Sequence, residues 1–95
     1  MASGFTKRKL FPRGRIESDE GFSVAFGRDT VVYYESGRRM AITGDFSGST
    51  GAIYADTIGR WDDDPLNAVN EKEKDRIANN IKRALEWDGI PVLLI

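Results

Sequence analysis

Ninety-five residues, 40% of them apolar, make one small domain; a chain of this length buries about two-thirds of its unfolded surface or less. Neither cysteine nor histidine occurs, which excludes disulfides, thiolate nucleophiles and the commonest general base, metal ligand and near-neutral pH switch. The net charge is −1, but Lys7, Arg8, Lys9, Arg13 and Arg15 place five positive charges ahead of residue 16 with no acid among them. The rest then carries nine basic against fifteen acidic residues.

Residues 1–16, MASGFTKRKLFPRGRI, show no sustained period, and Pro12 and Gly14 interrupt any that starts. They predict a flexible basic N-terminal arm, with Leu10, Phe11 or Ile16 docking at the start of a single α+β domain over 17–95. Lys7, Arg8, Lys9, Arg13 and Arg15 suit a nucleic-acid contact. A solvated tail is favoured, because only Phe5 and Phe11 interleave the charges and the body is acidic. No apolar stretch follows the basic residues as a secretory signal requires. The longest apolar run, 90–95, falls far short of the roughly 20 residues of a membrane span. The expected setting is therefore the cytoplasm, with no membrane contact.

Residues 22–26, FSVAF, alternate large and small side chains, placing Phe22, Val24 and Phe26 on one face of a strand. After a turn at 27–30, residues 31–35, VVYYE, read as a second strand whose buried side is open between Val31/Tyr33 and Val32/Tyr34. Ser36-Gly37 predicts a tight hairpin turn. A third strand over 38–43 buries Met40 and Ile42, exposes Arg39, Ala41 and Thr43, and sets Arg38 across from Glu35 as a charge pair. The glycine- and serine-rich stretch 44–51 lacks the Gly-Lys-Ser/Thr ending of a phosphate loop and reads as a hairpin loop. Residues 52–58 predict a fourth strand, and 92–95 a short edge strand.

Residues 70–89, NEKEKDRIANNIKRALEWDG, carry the strongest pattern. Ile77, Ala78, Ile81, Ala84 and Leu85 form one stripe of an amphipathic helix. Asn70 followed by Glu73 reads as an N-cap close to a capping box, Gly89 as the left-handed residue that ends the helix, and Pro91 as a stop. The fold expected is α+β: an antiparallel four- to five-stranded β-meander packed on one face by a single long C-terminal helix.

Asp62, Asp63 and Asp64 are the densest acidic run. Three consecutive carboxylates ending at Pro65 do not match a calcium loop, and only Trp61 adjoins them as apolar cover for a raised pKa. They read as a solvated turn or as a docking patch in which charge speeds encounter and Trp61 anchors. Trp61 also suits a plug at the end of the core, and Trp87 a seal at its edge. Without histidine or cysteine, and with no serine on a recognisable elbow, no triad assembles. The expectation is a non-enzyme with no cofactor and no metal.

Several features recur in order. They are a tyrosine-bearing strand, a hairpin on Ser36-Gly37, a strand of the form R-M-A-I-T, a glycine-rich loop, Ile53-Tyr54, a Trp61…Pro65 element and a helix with Arg76-Ile77 and Asn80-Ile81. Together, over about residues 22–90, they resemble immunity-protein family 74 of bacterial polymorphic-toxin systems. The resemblance implies a small cytoplasmic α+β protein, monomer or weak dimer, that binds and neutralises a cognate toxin domain, and it carries over no catalytic residue. An acidic body suits a basic nuclease as that toxin. Trp61, Asp62, Asp63 and Asp64 are the expected partner-binding residues. The alternative is a small nucleic-acid-binding or regulatory module using the basic arm, and nucleic acid is the less expected partner.

Overall fold

The computed structural model describes residues 4–9 and 14–95. Seven strands, β1 (Phe5–Lys9), β2 (Gly14–Ser18), β3 (Phe22–Phe26), β4 (Thr30–Glu35), β5 (Arg38–Asp45), β6 (Gly51–Ile53) and β7 (Val92–Leu94), form one sheet in chain order. The first six pair antiparallel as a meander. The connection from β6 to β7 contains the helix α1 (Glu71–Trp87), and β7 pairs parallel to β6. A parallel neighbour needs such a crossover, because a hairpin can only return antiparallel. The α+β class with a C-terminal helix is as expected, but the sheet has seven strands rather than four or five.

The two additional strands lie where a flexible arm over 1–16 is expected. β1 and β2 pair from Phe5↔Ser18 to Lys9↔Gly14, and Ile16 pairs with Val24 of β3. The missing periodicity misleads because this hairpin is held by backbone bonds and two apolar contacts, not by an apolar stripe. Ile16 is fully buried, and the Phe5 ring packs 6.0 Å from Phe22 and 5.7 Å from Trp87. Leu10 and Phe11, the other expected docking residues, lie outside the described residues.

Alternation settles the faces of the central strands. Val24, Val31, Tyr33, Met40 and Ile42 point to the helix and are buried, while Arg39, Ala41 and Thr43 face out. The hairpin between β4 and β5 turns on Ser36 (φ 54°) and Gly37 (φ 76°). Two successive positive φ values give the turn whose twist matches its strands. The expected strand over 52–58 stops at Ile53. There the chain enters a 3-10 turn at Ala55–Thr57, and the Thr57 hydroxyl donates to the Tyr54 carbonyl (2.6 Å) while accepting the Thr43 N–H (3.0 Å). One side chain thus replaces the strand partner that β5 would otherwise have, and Ile58 returns to the core.

Asn70 caps α1, its side chain accepting the Glu73 N–H at 2.8 Å. At the other end Gly89 adopts φ 87°, with bonds from Ile90 N–H to the Leu85 carbonyl (2.9 Å) and Gly89 N–H to the Glu86 carbonyl (3.0 Å). This is the reverse-turn ending that a left-handed glycine permits. Ile77, Ala78, Ile81, Ala84 and Leu85 are buried against the sheet. Each large side chain so buried contributes about 1.5–3 kcal/mol. Ile81→Ala removes transfer energy and leaves a void, so it should cost about 2–5 kcal/mol and bring a domain of this size close to unfolding. A urea titration followed by circular dichroism checks this; a midpoint within error of the parent would refute the packing.

Candidate functional site

The segment leaving β6 crosses the sheet end where β5 begins, and its side chains divide between core and solvent. Trp61 goes inward: it is 4% exposed, with its ring 6.0 Å from that of Tyr33. The Arg38 guanidinium lies over its other side, 4.7 Å from a ring centroid. The indole N–H donates to Glu73 Oε2 at 3.1 Å. Trp61 therefore plugs the end of the core, as the sequence suggests, and its ring is almost wholly enclosed. The same bond explains why the capping box is only half built: Asn70 caps Glu73, but the Glu73 carboxylate bonds the indole N–H.

A chain of polar contacts runs from Trp61 beneath the helix. Glu73 Oε2 stands 3.8 Å from Arg76 Nη2, which donates to Glu35 Oε1 at 2.9 Å. The Tyr33 hydroxyl donates to that same oxygen (2.9 Å) and accepts from Asn80 Nδ2 (2.9 Å). Asn80 Oδ1 accepts from Arg83 Nη2 (2.9 Å), and Arg83 forks onto both Glu20 carboxylate oxygens at 2.9 Å each. Burial pushes the Tyr33 hydroxyl well above the ordinary tyrosine range; the Asn80 amide opposes this and the Glu35 carboxylate adds to it. Tyr33 thus stays a neutral donor at any physiological pH. Glu35 was expected to pair with Arg38 across the hairpin. The two stand opposite in register, but the helix supplies Arg76 to Glu35, and Arg38 turns to Asp63.

The acidic run leaves the core beside Trp61. The Asp62 N–H donates to the Arg39 carbonyl (2.8 Å), and its carboxylate pairs with the Arg39 guanidinium. Asp63 Oδ1 accepts from Arg38 Nε at 3.2 Å. The Asp64 N–H donates to the Trp61 carbonyl (3.0 Å), and its carboxylate accepts from Asn67 Nδ2 (3.0 Å). The bond to Asp62, with a further contribution from Tyr34, holds the Arg39 guanidinium above its ordinary value. The acidic run thus forms an exposed turn whose carboxylates alternate with the guanidinium groups of Arg38 and Arg39. Next to it, an open groove of about 440 Å³ runs along Asn70, Lys72, Glu73 and Arg76. Among the described residues no group of three or more acidic side chains gathers as a metal site would require.

The expected basic cluster is divided. Lys7 donates to Asp88 Oδ2 at 2.8 Å near the end of the helix. Arg15 lies on the opposite face of the sheet, its guanidinium 3.9 Å above the Tyr34 ring and within 3.3 Å of Ser23 Oγ. Arg8 and Lys9 stand opposite Arg15 and Gly14 in the register, and Arg13 lies outside the described residues. No helix among the described residues is long and apolar enough to cross a membrane. No protein-family model, curated protein or solved structure matches the chain.

Sequence reasoning missed Asn80, Tyr33 and Glu20 as members of one network. The signal for Asn80 was present: an amide inside an apolar helical stripe needs a buried partner. Tyr33→Phe strands the Asn80 amide donor in the core, and should cost about 1–3 kcal/mol. Combined with Asn80→Ala it should cost less than the sum of the two single changes, the coupling expected of contacting residues. Full additivity in denaturant titrations would show that the pair does not interact.

The Arg83 fork holds the Glu20 carboxyl below its ordinary value of 4.5. A carboxyl with a depressed folded pKa adds stability above the unfolded value, and that stability is lost as pH falls through the folded value. The melting temperatures of the parent and Glu20→Gln should therefore differ at pH 7 and converge on acidification below about 4.5. A gap that stays constant down to acid pH would contradict the pairing.

Proposed function

We propose that this protein acts by binding, as a non-catalytic immunity protein that neutralises a toxin domain made by the same cell, the role implied by its resemblance to immunity-protein family 74. The observation that carries the reading is the exposed turn bearing Asp62, Asp63 and Asp64, held in one geometry from several sides. Its backbone is bonded to β5 at Arg39, and the residue before it is Trp61, buried and bonded to the helix through Glu73. A surface ordered before contact loses little entropy on association, which favours tight binding over a modest area. Arg38 and Arg39 also bring to this surface a residue type enriched where binding energy concentrates.

The alternating charges define the partner's complement. Basic groups on the toxin domain compete with Arg38 and Arg39 for Asp63 and Asp62, and its acidic groups take the guanidinium positions in turn. Such an exchange discriminates strongly against partners with the wrong charge order and depends on salt in its association rate. A basic nuclease domain fits the acidic body of the chain, and the cytoplasm is the compartment in which such a protein protects its own cell.

Replacing Asp62, Asp63 and Asp64 together by serine should slow association with the toxin domain encoded beside this gene by about tenfold or more at low salt. The difference should shrink at high salt, with circular dichroism unchanged. Stopped-flow kinetics measure it. Equal rates at low salt would remove these residues from the interface, and failure of the parent protein to bind or neutralise the neighbouring toxin would remove the function.

A further inference from the structure

Among the described residues the sheet has two unpaired edge strands, β1 and β7, of opposite chemistry. β1 carries three successive basic residues, FTKRK, and β7 carries no charge, VLL. Proteins commonly blunt an edge with lysine or arginine to prevent pairing with another chain. β7 has no such protection: Leu93 is 60% exposed, Ile95 63% and Leu94 44%.

Its backbone order is specific. The Gly51 N–H donates to the Pro91 carbonyl, the Ile95 N–H to the Ile53 carbonyl and the Ala55 N–H to the Ile95 carbonyl, each at 2.8 Å. With the parallel register Gly51↔Val92 and Ile53↔Leu94, the odd-numbered residues of this strand bond to β6. The N–H and carbonyl of Val92 and Leu94 therefore point to the open edge.

We propose that this edge binds a second copy of the same chain, β7 pairing antiparallel with β7 about a two-fold axis at Leu93. The parity is self-matching. Val92 falls opposite Leu94 of the second copy and Leu94 opposite its Val92, both as residues whose backbone groups face across, which closes four hydrogen bonds. Leu93 then meets its own copy as a non-hydrogen-bonded pair, the closer of the two kinds, with Cα atoms about 4.5 Å apart. The other pairings are worse: β1 with β1 opposes like charges, and β1 with β7 buries basic residues against leucines and propagates as an open filament. Only β7 with β7 closes on itself without setting charge against charge. The contact is small, so the dimer is weak and reversible. The inference rests on the edge alone and is independent of the toxin-binding reading.

The chain lacks cysteine, so a single introduced thiol can cross-link only to another copy. Leu93→Cys places two thiols on the proposed axis at a separation a disulfide spans. Under mild oxidation it should form covalent dimer about tenfold or more faster than Leu66→Cys, a change at an 88% exposed residue away from the edge. Adding Leu94→Pro removes one outward N–H but no bond to β6, and should return the rate to that of the control. Should that proline change prevent folding, Leu93→Lys puts like charges on the axis and should abolish the concentration-dependent rise in sedimentation mass of the otherwise unaltered protein. That rise should level off at twice the monomer mass as concentration approaches about 1 mM. Cross-linking no faster than the control overturns the proposal. So does a mass that stays monomeric throughout, one that climbs past the dimer without a plateau, or one unaffected by Leu93→Lys.

Discussion

The hydrogen bond between Tyr33 and Asn80 is the contact on which the rest of this structure depends. It lies between the middle of β4 and the middle of α1, within a core whose other members are almost all hydrocarbon. Isoleucine and alanine side chains alone define a helix position loosely, since a stripe of similar residues packs nearly as well after a shift of one turn. An amide that must meet one hydroxyl removes that freedom, because any other position leaves two polar groups buried without partners. The ion pairs to Glu35 and Glu20 continue the same line outward on both sides and hold the helix in register along its length.

The surface beside Trp61 follows from this placement. With α1 in register, Glu73 comes within reach of the indole N–H, Trp61 is drawn into the core, and the residues after it are forced out over β5. There Asp62 and Asp63 meet Arg39 and Arg38. Charge that reads as a single acidic cluster along the chain becomes an ordered alternation in space. The physical consequence is a surface whose opposite charges are paired at short range in place of a patch of one sign.

The two sheet edges illustrate the same division of labour. The basic residues near the start of the chain suggest a polyanion contact when read alone, but pairing distributes them between an edge strand, an ion pair with Asp88 and a stack on Tyr34. One edge strand is thereby basic in sequence. The apolar residues of β7 leave the other edge available.

What the amino-acid order determined by itself was local. The helix and both its caps were legible, because helix formation depends on residues within four positions of one another. The same holds for the turn at Ser36 and Gly37, which depends on two backbone angles, and for the alternation that buries Met40 and Ile42. Tertiary structure alone decided which face of β4 is buried, that residues 5–9 and 14–18 join the sheet, that β6 ends at Ile53, and that Arg38 leaves Glu35 for Asp63. The burial of Tyr33 and the turning of Arg38 depend on partners far along the chain, as Asp63 is 25 residues from Arg38 and Asn80 is 47 from Tyr33. A side chain's own neighbours in sequence carry no record of which distant group will offer the lower-energy bond. The candidate site is built largely from such distant partners, so Asp62 and Asp63 could be singled out from the sequence while their pairing with Arg39 and Arg38 could not.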